Sequence, residues 1–241
     1  MQGRSRILTL LAVLVALGAQ VFCWFQTRDL RADWLNVPPV PSERQGLIPT
    51  LGDRELAYRL YSLMLQNLGD IGGEYRSFAK YDYNRLGQWF FLTDKYNPRS
   101  NYVPVLAAFY YGATKDPKQM DPLIDYLSYV GQGETGKKWR WLMQAVYLAR
   151  FGQNDLDKAL KLANLLAQNK NPDMPLWAHE MPAFVMTAQG KKEAAKTLLY
   201  QILQTKGNGL DPTEVNFTMA YMCNNLFTPA ERKKISACGR F

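Results

Sequence analysis

The stretch LMQAVYLARFGQNDLDKALKLANLLA, residues 142–167, decides how the chain is read. Its apolar residues recur three and four apart, which is the signature of a helix with one buried side and not of a strand. Gly152 follows the first apolar run at its end, and Ala159, Ala163 and Leu166 carry the second run, spaced four then three. The stretch is therefore two helices joined by a turn. Ala145 is the small residue that lets them cross closely.

Working outward, the same triplet returns at intervals of 36 or 37 residues: Leu86, Phe90, Thr93; Leu123, Leu127, Val130; Ala159, Ala163, Leu166; Ala195, Leu199, Ile202. A shorter helix precedes each of the last three triplets and carries Ala108, Ala145 or Ala183 at a matching place. Helix starts are marked as well. Asp211-Pro212 with Glu214, and Thr228-Pro229 with Glu231, each set a capping residue before an N1 proline and a glutamate at N3. Asp116-Pro117 and Asp121-Pro122 are less complete versions of the same signal, and Gly190 ends a helix as Gly152 does.

This pattern resembles the tetratricopeptide repeat family, whose unit of about 34 residues is a helical hairpin with small residues at the crossing. In PAFVMTAQGKKEAAKTLLYQIL, Ala183, Met186, Gly190, Ala195, Leu199 and Ile202 fall on the motif positions in register, and Pro98 fits the terminal proline of an earlier unit. Pro172 misses that place by one, and the turn from Gly152 to Ala159 is longer than the family's. The match is good over 80–205 and poor over 53–79, where Asp70, Gly72 and Gly73 make a glycine-rich connection. The fold class expected is all-α: a helical solenoid over 53–210 closed by a capping hairpin over 211–241.

The resemblance implies a binding scaffold whose concave face is lined by the first helix of each unit. Six residues before the equivalent alanines stand Tyr102, Trp139 and Trp177; one after stand Phe109, Val146 and Phe184; four after stand Gly112, Ala149 and Thr187. Tyr102, Phe109, Trp139, Val146, Trp177 and Phe184 are thus the expected partner-binding ladder, suited to an extended or helical peptide. The competing reading is that these aromatics are packing between repeats. The family's clamp for a C-terminal carboxylate needs Lys, Asn and Arg at these positions. They are absent, which argues against a chaperone-adaptor role.

The N-terminus carries a different signal. Ile7–Phe25 is uncharged, and its 19 residues at about 1.5 Å each span a hydrocarbon core of roughly 30 Å. Leu10, Leu14 and Leu17 are anchor positions within it, and Phe22 and Trp24 stand at the distal end as an aromatic belt. Arg4 and Arg6 precede it without an acid, whereas Arg28 and Arg31 are balanced by Asp29 and Asp33. The positive-inside rule then sets 1–6 in the cytoplasm and the rest in the periplasm, as a single-pass inner-membrane protein. A cleaved signal peptide at Ala16-Leu17-Gly18 is the rival reading, and it leaves the domain on the same side. Residues 26–52, with Pro38, Pro39, Pro41 and Pro49, read as a tether, with Trp34 and Leu35 free to pack or to meet the membrane surface.

Composition bounds the chemistry. The chain has 241 residues, 47% of them hydrophobic, which excludes extensive disorder. One histidine and three cysteines leave no set for a Cys/His zinc site, an iron–sulfur centre or a di-histidine metal, and no cofactor or metal is expected. His179, in Trp177-Ala178-His179-Glu180, reads as structural, and Tyr81, Asp82 and Asn84 read as the capped start of a helix. The net charge of +8 includes only short clusters, Lys137-Lys138 with Arg140, Lys191-Lys192 and Arg232-Lys233-Lys234, which read as solvated faces and not as a nucleic-acid site. Cys23 lies in the span. Cys223 and Cys238 flank the final hairpin and in an oxidising compartment could pair and staple the C-terminus. Against this, the turn at Leu226 to Thr228 is nearer the first than the second, an axial mismatch that argues against an easy fit. The expected function is therefore non-enzymatic: a membrane-anchored scaffold that binds a protein partner in a membrane complex. The alternatives are an accessory subunit held mainly by its span, and an envelope enzyme, for which no convergent acids are present.

Overall fold

The computed structural model describes residues 2–28, 37–68, 77–134, 136–206 and 210–240. It divides into two units, residues 1–35 and 36–241. In the first, α1 (Gln2–Thr27) is a single helix, and Arg6–Thr27 is long and apolar enough to cross a membrane. From Arg6 to Thr27 its side chains, Leu10, Leu14, Leu17, Phe22 and Trp24 among them, are exposed. At its end the Arg28 guanidinium lies over the Phe25 ring at 4.6 Å.

The second unit is all-helical, with no strand among the described residues. Its main helices are α2 (Glu43–Gly46), α3 (Arg54–Gln66), α4 (Tyr83–Tyr96), α5 (Tyr102–Val105), α6 (Asp121–Gly131), α7 (Trp139–Tyr147) and α8 (Leu156–Ala167). They are followed by α9 (Leu176–His179), α10 (Met181–Ala188), α11 (Lys192–Lys206), α12 (Pro212–Asn225) and α13 (Pro229–Lys234). Helix α5 runs on through a π-helical turn, Leu106–Tyr110, to Ala113, and α7 through another, Leu148–Gly152. Each long helix packs on the next: α3 on α4, α6 on α7, α7 on α8, α8 on α10, α10 on α11, and α11 on α12. Where the connection is short, as between α10 and α11, such neighbours run antiparallel. Among helices further apart, α4 also touches α6, and α12 touches α9.

The repeated triplets are the buried faces of these helices. Leu86, Phe90, Thr93, Leu123, Leu127, Val130, Ala159, Ala163, Leu166, Ala195 and Leu199 are buried, and only Ile202 is half-buried. The small residues expected at the crossings, Ala108, Ala145 and Ala183, are buried too. Glycine makes the closest approach. A Cβ on Gly131 at the end of α6 would meet the Leu142 backbone of α7, and one on Gly87 would meet Pro122.

Several caps match their sequence signals. Asp82 accepts from the Arg85 N–H at 3.1 Å, and Thr228 and Glu231 form a reciprocal capping box. Two differ. Asp121 lies inside α6, where its carboxylate takes Lys158 and Gln153 instead of capping. After the turn at Gly152 the left-handed backbone position falls at Asn154, φ 55°, a residue type that tolerates it. Pro182 supplies no N–H, and the helix breaks at Glu180 into α9 and α10.

Residues 37–52, expected as part of the tether, belong to the folded unit. Val37 is buried. The Trp89 indole donates to the Pro38 carbonyl at 2.9 Å, Tyr61 to that of Gly46 at 2.6 Å, and Tyr96 to that of Glu43 at 2.9 Å. The prolines do exclude a long helix here, but buried aromatic donors on α3 and α4 hold the extended chain down. Trp34, Leu35 and the segment through Asp70, Gly72 and Gly73 lie outside the described residues.

Candidate functional site

Three helices open a groove of about 490 Å³ on one side of the second unit. Each contributes residues at helical spacing: Met143, Tyr147 and Arg150 with Phe151 from α7 and its π-turn, Met181, Phe184 and Ala188 from α10, and Phe217, Tyr221 and Asn225 from α12. Beside these lining residues, Leu142 of α7 and Val185 of α10 are buried in the core. Ring contacts form the floor. Phe184 meets Tyr221 at 4.5 Å and Phe217 at 6.3 Å, both edge to face, and Tyr147 meets Phe151 at 4.9 Å. Phe151 is 60% exposed, and Tyr147 and Phe217 are similarly open. Such rings in contact with one another but not covered form a patch that a monomer rarely leaves to water.

The π-turns matter to this geometry. Each inserts an extra residue into a helical turn and so rotates the side chains around it. The one in α7 brings Arg150 and Phe151 to the groove. The one in α5 brings Phe109 and Tyr110 to the surface further along. The Arg150 guanidinium lies over the Phe151 ring at 4.7 Å. It is the one charged side chain in the lining, and among the described residues no carboxylate pairs with it.

The structure distributes the expected ladder unevenly. Phe184 lines the groove and Val146 lies beneath it, buried but in the lining. Phe109 is exposed outside it, in edge contact with Trp141. Tyr102 is partly exposed, and its hydroxyl donates to Gln66. Trp139 is only 3% exposed and meets the half-buried Trp177 edge to face at 5.7 Å. This pair is packing between helices, so the six-before set forms no continuous ladder. The groove residues that sequence reasoning passed over are Tyr147, Arg150, Phe151, Phe217 and Tyr221. A signal for two pairs was present: Tyr147/Phe151 and Phe217/Tyr221 are aromatics at i, i+4.

The other singled-out residues are structural. His179 Nδ1 lies 3.0 Å from the Ala167 carbonyl oxygen. Glu180 is buried and accepts from the Thr218 hydroxyl at 2.5 Å, while Glu214 accepts from the Leu176 N–H at 2.7 Å, so α12 is tied both to the start of α9 and to the break between α9 and α10. Lys138 is drawn into the fold, donating to the Ser100 carbonyl at 2.7 Å; burial lowers its pKa, opposed by Asp94. Asp94 in turn is raised by burial against the pull of Lys138 and the Tyr126 hydroxyl.

Cys223 and Cys238 are disulfide-bonded, with Cα atoms 5.5 Å apart. The expected axial mismatch does not arise, because α13 ends at Lys234. The chain then turns back through Ser236–Arg240 onto α12, which returns Cys238 to the level of Cys223. Compared with protein-family models, with curated proteins and with solved structures, the chain matches none.

Proposed function

We propose that this protein is a membrane-anchored adaptor. Arg6–Thr27 crosses the inner membrane with the N-terminus in the cytoplasm. Residues 37–240 form a tetratricopeptide-like solenoid in the periplasm that holds a segment of a protein partner belonging to a membrane complex. The succession of helical hairpins with buried four-three triplets supports the repeat reading. The Cys223–Cys238 bond supports an oxidising compartment.

The observation that carries the binding reading is the groove of exposed aromatics on α7, α10 and α12 around the unpaired Arg150. Its chemistry selects an amphipathic helical segment that lays an apolar face on Phe151, Phe184 and Phe217 and sets a carboxylate on Arg150. A photoreactive phenylalanine at Thr187, in the groove, is expected to give one ultraviolet-dependent adduct in native membranes. Arg150→Glu and Phe217→Ala should suppress it, and the same probe at Lys161, on an exposed face of α8, should not give it. Equal adducts at both positions, or none, would sink the reading. The fully exposed apolar surface of α1 favours a second reading, association through the span itself. In that case a generic span in place of residues 7–25 abolishes the adduct while the groove variants leave it.

A further inference from the structure

The first helical pair of the folded unit carries an apolar face that no described residue covers. Leu56, Leu60 and Leu63 stand at i, i+4 and i+7 on the outer side of α3, all exposed, opposite the buried Ala57, Tyr61 and Leu65. Just before the helix, Ile48 and Leu51 are exposed as well. Leu51 is 97% exposed and sits at φ 53° in the left-handed region, with Gly52 at φ 89° after it. A large aliphatic residue in a backbone conformation it disfavours, its side chain covered by no described residue, indicates a contact made outside the chain.

The span is what identifies that contact. Val37 follows Arg28 by nine residues, which reach at most roughly 32 Å when fully stretched. That is less than the diameter of about 40 Å expected of a compact unit this long. Val37 to Gly46 is pinned to α3 and α4 through Tyr61, Trp89 and Tyr96, and Tyr61 and Trp89 pack at 5.1 Å. The point where the chain leaves for the membrane and the leucine face thus belong to the same helical pair. The charges beside the face cancel: Glu43, Asp53 and Glu55 against Arg44, Arg54 and Arg59. Arg54 pairs with Glu43 at 2.8 Å and Arg59 with Glu55 at 3.0 Å.

We propose that Ile48, Leu51, Leu56, Leu60 and Leu63 dock into the headgroup–acyl boundary of the membrane that holds α1, fixing the first helical pair against the bilayer. The attraction is apolar and not electrostatic. The proposal rests on the reading of Arg6–Thr27 as a span, and the test separates the two.

The full chain carries a nitroxide at Leu51→Cys in a Cys23→Ser background, in phosphatidylcholine nanodiscs, and its relaxation by oxygen is compared with that by a water-soluble nickel chelate. A severalfold oxygen preference is expected at Leu51, as at a Leu14→Cys label within the span, against a nickel preference at Lys161→Cys. Phosphatidylglycerol and salt should leave it unchanged. Leu56→Asp/Leu60→Asp/Leu63→Asp, all at exposed positions, should return the Leu51 label to nickel with an unaltered circular-dichroism melt. A lipid-buried Leu14 label with a nickel-accessible Leu51 label overturns the docking and leaves the span standing. A nickel-accessible Leu14 label overturns the span and the docking with it. Oxygen preference seen only in anionic lipid, or persisting in the triple variant, overturns the apolar face as the cause. Dipolar broadening between Leu51 labels without oxygen preference assigns the face to a second copy and overturns the proposal as well.

Discussion

The folded unit contains two cores built on different chemistry. The larger runs from Val37 to Val185 and is rich in tyrosine and tryptophan. The smaller joins Ala183, Ala195, Leu199, Met222, Cys223, Leu226, Phe227 and Cys238. Helix α10 is the shared wall, since Val185 belongs to one core and Ala183 to the other. In the larger core, buried phenols donate to backbone carbonyls far away in sequence, Tyr81 to Leu68 at 2.7 Å and Tyr111 to Leu65. Burial raises the pKa values of Tyr111 and Tyr83, the latter up to about 12 with the Thr114 side chain opposing. The smaller core has less apolar surface to remove from water. It is tied instead by the disulfide and by Lys196, which is buried, pairs with Glu193 and Glu231 at 2.9 Å each, and lies 5.4 Å from the Phe227 ring centre. A domain end with few neighbours has to gain by cross-links what the middle gains by packing.

The largest test of that contrast is Tyr111→Ala. Tyr111 is fully buried against Phe78, Tyr81, Tyr83 and Phe90, and its truncation should cost about 3–5 kcal/mol in urea unfolding of the detergent-solubilised chain. Next comes Cys223→Ser/Cys238→Ser. Opening a loop of 15 residues should cost about 3 kcal/mol. Hydrogen exchange should then accelerate over 195–238 while 57–130 keeps its protection. Equal acceleration in both would mean that the two cores unfold as one. Third is Gly131→Ala, whose Cβ would strike the Leu142 backbone. It should cost about 2 kcal/mol through overpacking and raise exchange on both sides of the α6–α7 crossing.

The smallest effect is a pH signature of opposite sign in the two regions. Glu231 is held down to about 2 by Lys196 and then by Thr228. Such a carboxylate contributes fully above its ordinary value of 4.5, and the contribution drains away as the pH falls from there to about 2. Asp94 is raised by burial, so its neutral form is favoured in the fold and stability is lost as the pH rises from 3.8 through its folded value. The melting-temperature advantage of wild type over Glu231→Gln should therefore shrink below pH 4.5, while its standing relative to Asp94→Asn improves. A shift of the same sign for both variants would count against the contrast.

Much of this was legible locally. The four-three triplets, the Thr228 capping box and the apolar N-terminal run depend on neighbours along the helix, and each appears where the pattern set it. The site was only half legible. Trp139 and Phe151 are both aromatics on α7 and its continuation, yet one is buried against Trp177 and the other stands in the groove. Which ring is covered depends on the neighbouring helix and on the π-turn, and neither is written in the periodicity of a single segment. Residues 37–52 show the same limit: their prolines state what the backbone will not form, but not that Trp89 and Tyr96 wait to receive it.

By itself, the sequence determined the helices, their buried faces and the helix able to cross a membrane, because a repeat of three and four residues and an uncharged run act within one element. Only the tertiary structure decided that Cys238 meets Cys223, that Arg150 and Phe151 share a groove with Phe217, and that Leu51 remains uncovered. Each of these depends on chain segments distant in sequence coming within a few ångströms. That is a property of packing geometry, which local pattern does not carry.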